Sequence, residues 1–444
     1  MEQQREPAAP CQRPAWERVE VHEEAGAGLR GAAAWRAYAR EIFTRHFLAY
    51  LGPGFLVSVG YMDPGNWGTD LEGGARFGYT LLWVLLLSNL MAILLQALSA
   101  KLGLVTGCSL AENCRRHFPR PLTIFLWVTA ELAMIATDLA EFLGAALGFY
   151  LLFRIPLPLA GLLTAGAVFL VLAPYRRGHR MLEFMIMGLV SVLGLCYVLE
   201  LALARPQWGR VAYHMAVPHL SSASILVAVG MVGATVMPHN LFLHSAAVRN
   251  RALPGDLGHT GRLVRYATAD AIFALSLAWL VNSAILIMAA ATFHARGLPI
   301  TSISQAHHTL QPLLGPLSAA AFAIALLCSG IASSVTGTMA GQIVLEGFLQ
   351  VRISIWLRRL VTMIPALVVI MLGLNEIKVL VLSQVLLSLQ LPFAVIPLLI
   401  FTRHHRLMGE HVNRPLTSLV AWLVTAVIIL LNLLLLLRIS GLRF

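Results

Sequence analysis

Apolar residues in this chain run on far longer than one buried face of a surface helix requires. Segments 81–98, 160–173 and 418–437 are almost free of charge, and the longest suit the roughly 20 residues that cross the hydrocarbon core of a bilayer. Eleven membrane helices are predicted, over 47–70, 80–103, 121–150, 157–173, 182–203, 221–247, 268–293, 315–347, 355–373, 377–402 and 416–438. The first and sixth are interrupted. One reads Gly60-Tyr61-Met62-Asp63-Pro64-Gly65-Asn66, the other Ala234-Thr235-Val236-Met237-Pro238-His239-Asn240, and both keep a Pro-x-Asn core. Proline has no N–H and clashes with the carbonyl one turn back, so each helix must unwind there. Unwound backbone survives at membrane depth only where it is buried in protein or lines a wet cavity. Interrupted helices at matching positions of two halves point to the substrate site of a transporter.

An odd number of spans per half inverts the second copy. Helices 1–5 (47–203) and 6–10 (221–402) form the two halves of a single transmembrane domain, and helix 11 (416–438) is left over. Residues 1–46 are polar and rich in Ala, Arg, Glu and Pro, which predicts a disordered cytoplasmic tail without a signal peptide. Most of the 32 lysines and arginines fall in that tail and in alternate loops. This bias predicts a cytoplasmic N-terminus and an extracytoplasmic C-terminus in a plasma membrane.

Composition agrees with the spans. The chain is 58% hydrophobic and 12% charged, with a mean hydropathy of +0.77, against roughly 25% charged in a soluble domain. A net charge of +11 is therefore assigned to loops facing the bilayer surface, not to nucleic acid. A monomer is the expectation for the oligomeric state. The five cysteines form no CxxC pair, which argues against structural zinc. No GxxxxGK[ST] loop is present, so the energy for transport comes from an ion gradient or none is used. No haem or iron–sulfur ligand set suggests an enzyme, and no cofactor is expected.

The breaks carry a metal-binding set. Asp63 offers a charged oxygen, Asn66 a carbonyl oxygen and Met237 a thioether sulfur. Sulfur gives Mg²⁺ and Ca²⁺ no useful bond but is acceptable to Mn²⁺, Fe²⁺, Co²⁺ or Cd²⁺. Asn66 could instead satisfy freed backbone groups. Gln384 in helix 10 is either a ligand or an interhelical hydrogen bond. On helix 3, Glu131 and Asp138 differ by about 20° around the axis and Glu141 lies about 60° further. Three carboxylates on one face line a polar route suited to protons, with Arg358 and Arg359 as candidate partners and one of the two an anchor at the cytoplasmic end. His239 and His244 follow the second break and can titrate. His307 and His308 are expected to be solvated, Leu71-Glu72-Gly73-Gly74-Ala75 to form a flexible external turn, and Trp67 to pack.

These residues resemble those of the NRAMP family of proton-coupled divalent metal transporters, in its prokaryotic manganese and iron importer type. The hallmarks are Asp-Pro-Gly-Asn at 63–66 and Met-Pro-His at 237–239. The stretches Gln96–Gly103, Ala136–Phe142 and Ser383–Gln384 through Leu391–Phe393 are similar too. The resemblance implies an all-α, LeuT-type 5+5 inverted repeat with helices 1 and 6 broken. It also implies import of Mn²⁺ first and Fe²⁺ next, with a proton, by alternating access. Metal and proton are then substrates. It further implies backbone carbonyl ligands at Gly60 and Ala234, Arg359 as the inward arginine, and Asn282 as part of an outer gate. One departure is Gly60, where Ala is more usual. The alternatives are a Mg²⁺ or amino-acid carrier of the same fold, disfavoured by Met237 and Asp63 respectively, and a metal-sensing membrane protein that does not transport.

Overall fold

The computed structural model describes residues 50–173, 179–251 and 260–439. The expected N-terminal tail and most of the basic loop after helix 4 lie outside them. All the regular structure among the described residues is helical. The helices run α1 (Pro53–Ser58), α2 (Pro64–Phe77), α3 (Leu82–Thr106), α4 (Leu110–His117), α5 (Arg120–Phe153), α6 (Leu157–Leu172), α7 (His179–Ala204), α8 (Trp208–Ala216), α9 (Ile225–Thr235), α10 (Pro238–Ala247), α11 (Thr260–Thr292), α12 (Ile303–Leu314), α13 (Pro316–Leu349), α14 (Ile355–Met371), α15 (Glu376–Arg403), α16 (His405–Met408) and α17 (Pro415–Ile439).

Among the described residues, eight stretches are long and apolar enough to span a membrane. One of them, Pro64–Thr106, contains α2 and α3, while Pro53–Met62 and Leu157–Leu172 are shorter apolar pieces. With α14, whose 17 residues include two arginines, helix occupies each of the eleven expected segments. Leucines along α6, α7 and α17 remain exposed, such as Leu162, Leu170, Leu195 and Leu416, as a surface solvated by lipid requires.

Both proline breaks are present. α1 gives way to a 3₁₀ turn over Gly60–Met62 before α2 begins at Pro64. α9 ends at Thr235, and α10 starts at Pro238 after two non-helical residues. Around them, α5 and α13 make the most extensive helix–helix contact of the molecule. Glycines permit it: a Cβ on Gly330 would meet Ala145 backbone at 2.5 Å, and one on Gly148 would meet Leu327 at 2.7 Å. Small residues that let helix backbones approach are how membrane helices associate without a hydrophobic driving force.

Three expectations are corrected. Residues 71–75 are not a turn but lie within α2; a Cβ on Gly74 would sit 2.4 Å from the Leu286 carbonyl, so glycine serves close packing on α11. The chain turns at Gly78, whose φ of 62° is left-handed and suits a residue without a Cβ. His307 is buried within α12, although His308 is exposed as expected. Neither arginine is only an anchor, as one of the two was expected to be: Arg358 pairs with Glu131 at 2.6 Å and Arg359 with Asp138 at 3.0 Å, as candidate partners should. Trp67 packs as expected, with its ring 5.1 Å from that of Tyr197 and 5.2 Å from that of Phe322.

Candidate metal-transport site

Removing an N–H at position i orphans the carbonyl at i−4. Pro64 and Pro238 do this to Gly60 and Ala234, so the two residues expected to offer carbonyls are those the prolines release. They differ in what happens next. Gly60 O accepts from Asp63 N–H at 3.3 Å within the 3₁₀ turn. At the second break the backbone leaves the helix at Val236, with φ −98° and ψ 81°. Both carbonyls lie at helix C-termini, where the helix dipole favours a cation.

Asp63 adopts an extended conformation and caps α2. Its Oδ1 accepts from Asn66 N at 2.9 Å and from Asn66 Nδ2 at 2.8 Å. That oxygen is committed to the helix terminus. Oδ2 meets the Gln384 amide, with Nε2 at 3.4 Å. Asn66 Nδ2 also donates to Tyr61 O at 2.9 Å, which leaves Asn66 Oδ1 without a partner. Gln384 Nε2 sits 1.5 Å from where a Cβ on Gly65 would be, and its Oε1 is unpartnered too. Rotation of that amide would turn an acceptor towards Asp63. Met237, packed against Ala136 and Leu387, is 3.7 Å through Sδ from Asn240 Nδ2.

Asn240 is the residue that the sequence reading passed over. A Cβ on Gly60 would meet its Nδ2 at 2.4 Å, and its Oδ1 has no partner. It therefore touches Met237 in its own break and Gly60 in the other. The signal was available, since Asn240 occupies in the second Pro-x-Asn the place Asn66 holds in the first. Asp63, Asn66, Asn240, Met237, Ala234 and Gln384 are each 0% exposed. Among the described residues no three His, Cys, Asp or Glu side chains gather as a metal cluster.

Beside the breaks runs the carboxylate face of α5. Asp138 Oδ1 accepts from Arg359 Nη1 at 3.0 Å, and Arg359 Nη2 also donates to Ser334 Oγ at 3.1 Å. Arg359 is fully buried and its guanidinium lies 5.9 Å over the Phe142 ring. Glu131 takes Arg358. Glu141 has no partner for either oxygen and abuts Gly337, where a Cβ would come within 2.6 Å. Thr137 Oγ1, one residue from Asp138, lies 3.5 Å from His239 Nδ1, a polar contact between α5 and the second break. His244 Nδ1 is 3.0 Å from Gln96 Oε1, and Gln96 Nε2 donates to the Tyr61 hydroxyl at 2.8 Å. Asn282 Nδ2 donates to Tyr61 O at 2.7 Å. Asn282 thus ties α11 to the first break.

The family model "Natural resistance-associated macrophage protein-like" matches residues 54–438. The chain is 49% identical to the divalent metal cation transporter MntH of Granulibacter bethesdensis, over 89% of each protein. It is 44% identical to the MntH of Deinococcus radiodurans, over 96% of this chain and 97% of that one. The manganese transporter of Eremococcus coleocola, solved with an aromatic bis-isothiourea compound, superimposes with a TM-score of 0.77 at 36% identity, covering 92% of this chain and 88% of that one. Mhp1, a nucleobase-cation-symport-1 transporter, aligns with a TM-score of 0.58 at 16% identity over 86% of this chain and 90% of its own, a likeness of fold alone.

Proposed function

Because this chain belongs to the Nramp family, whose matched relatives are divalent metal cation transporters, we propose that it imports Mn²⁺, and Fe²⁺ next, together with a proton. The observation that carries this reading is the junction of the two breaks. Asp63 Oδ2, Asn66 Oδ1, Asn240, Gln384 Oε1 and the Met237 thioether are fully buried around backbone that proline has released. Unpartnered acceptors buried together cost free energy unless something fills their needs, and a divalent cation does so.

The chemistry follows from the donors. Asp63 supplies the charge and the amides and freed carbonyls supply neutral oxygens. Met237 penalises Mg²⁺ and Ca²⁺ by leaving them one effective ligand short. A carboxylate that binds metal must be ionised, so metal arrival expels any proton held there. The contact of His239 with Thr137, next to Asp138 and Arg359, gives that proton a polar neighbourhood along α5. Entry from outside and exit to the cytoplasm require the buried site to open to each face in turn. The expected orientation keeps the N-terminus inside. Asp63 disfavours an amino-acid substrate, whose carboxylate it would repel.

Proteoliposomes containing the purified chain and an internal pH dye test the proposal. Mn²⁺ uptake with internal acidification is the expected result. Uptake without acidification under any gradient would remove the proton, and no uptake of any divalent metal would remove the reading altogether.

A further inference from the structure

α7 ends at Ala204, and the chain turns at once into the short helix α8. Arg205 makes the turn with a left-handed φ of 48°, at a place where a helix end usually has glycine. Its N–H closes the last turn on Leu201 O at 3.2 Å. Beside the turn lies a cavity of about 510 Å³ lined by Val198, Leu201, Ala202, Arg205, Pro206 and Trp208. One half of it is apolar. Leu195, Val198 and Ala202 recur at three- and four-residue intervals and so share one side of α7. Leu195 is 70% and Val198 67% exposed, and in a membrane protein that side meets lipid.

The other half is cationic and aromatic. Arg205 is exposed and, among the described residues, has no carboxylate partner. Glu200, the nearest carboxylate along α7, is turned inward, 1% exposed and bonded to Ser318 Oγ at 2.8 Å. No acidic residue stands between positions 200 and 256, whereas Arg210 adds a second positive charge on α8. The last carbonyls of α7 oppose an anion, but with about half a charge against the whole charge of the guanidinium. No side chain caps the start of α8, so its first N–H groups are free to meet an anion. Trp208 and Tyr213 on that helix are exposed, aromatics of the kind that settle at headgroup depth.

We propose that this cavity seats one anionic phospholipid. Arg205 and the start of α8 hold its phosphate, and one acyl chain lies along Val198 and Ala202. A guanidinium grips two phosphate oxygens at once, whereas a choline head would bring a cation against Arg205 and Arg210. Free phosphate would leave the apolar half of the cavity without a partner. In the expected orientation the site opens to the outer leaflet. It sits where the first half of the chain hands over to the second, since α8 leads into α9 and the second break. The site stands whether or not the chain moves metal.

Native mass spectrometry tests this on the full chain, released from detergent micelles that carry equal amounts of phosphatidylglycerol and phosphatidylcholine. One phosphatidylglycerol should be retained, preferred about fivefold, the effect of a single arginine at an anionic headgroup. Arg205→Asn should abolish the preference, because Asn tolerates the left-handed turn but carries no charge. Arg154→Asn is the control. Arg154 is also exposed and left-handed, with φ 55°, at the end of α5, and its loss should leave the preference intact. Trp208→Ala should weaken retention of both lipids, and decides the matter if the Arg205 variant misfolds. Equal retention of the two lipids by the unaltered chain overturns the proposal. So does a preference that survives Arg205→Asn, one that falls as far with Arg154→Asn, or retention unmoved by Trp208→Ala. Displacement of the lipid by glycerol 3-phosphate at equal concentration, the head without its chains, overturns it as well.

Discussion

The junction of the breaks and the carboxylate face of α5 are both buried and polar, yet their charges are handled in opposite ways. On α5, Asp138 and Glu131 each hold a guanidinium at 3.0 and 2.6 Å, so the protein itself neutralises two of the three carboxylates and leaves Glu141 without a partner. At the junction, Asp63 holds only amides, and the acceptors of Asn66, Asn240 and Gln384 are left over. On the proposed function, a site that binds and releases a cation does not contain its own, whereas a neighbouring polar route can.

The largest effect is expected at Asp63. Asp63→Ala removes the carboxylate of the junction and the cap of α2, and metal uptake in proteoliposomes should fall to background. Retained uptake would erase the distinction. Arg359→Ala should come next, by a different route. It strands Asp138 in a site that is 2% exposed, and losing one member of a buried pair costs about 3–5 kcal/mol. The melting temperature in detergent should drop markedly and recover in part when Asp138→Asn is added, a recovery that Asp63→Asn should not give. Met237→Ala is expected to alter selectivity more than rate, with Ca²⁺ and Mg²⁺ competing better against Mn²⁺; unchanged competition would deny the thioether its role. Gly60→Ala tests the contact between the breaks. The new methyl would meet Asn240 Nδ2 at 2.4 Å, the end of a side chain that can swing aside, so a change of only a few-fold in apparent Mn²⁺ affinity is expected. A loss as large as that of Asp63→Ala would mean that Asn240 is held far more rigidly.

Hydropathy made the spans legible because lipid imposes one rule on every exposed helix face. The breaks were legible because proline acts through its own covalent structure, whatever surrounds it. Asp63, Met237 and the α5 carboxylates followed, since charge and sulfur stand out among leucines. Glycine was ambiguous. Gly73 and Gly74 read as a turn because the same absent side chain serves sharp bends and tight helix crossings, and only the neighbour at Leu286 decides between them. That one of the two arginines would be only an anchor was misjudged for a related reason: a positive charge near a helix end satisfies the loop bias whether or not a carboxylate on another helix awaits it. Asn240 stayed hidden because an amide gains meaning only from what lies across from it, here Gly60, 180 positions earlier in the chain.

α17 falls outside the internal repeat, but it is not loosely appended. Asn432 Nδ2 donates to Ser388 O at 2.6 Å and Ser388 Oγ donates back to Asn432 Oδ1 at 2.7 Å, one turn beyond Gln384. A Cβ on Gly233 would meet Ser388 at 2.5 Å and Gln384 O at 2.6 Å, so the same turn of α15 is gripped from both sides. The symmetry of the two halves is thereby spoiled on purpose: one carries an outrigger and the other does not. If the proposed alternating access holds, whatever rocks must drag that outrigger through lipid or pivot against it, and the seam between α15 and α17 would be a place where bilayer thickness could set the pace without meeting the ion.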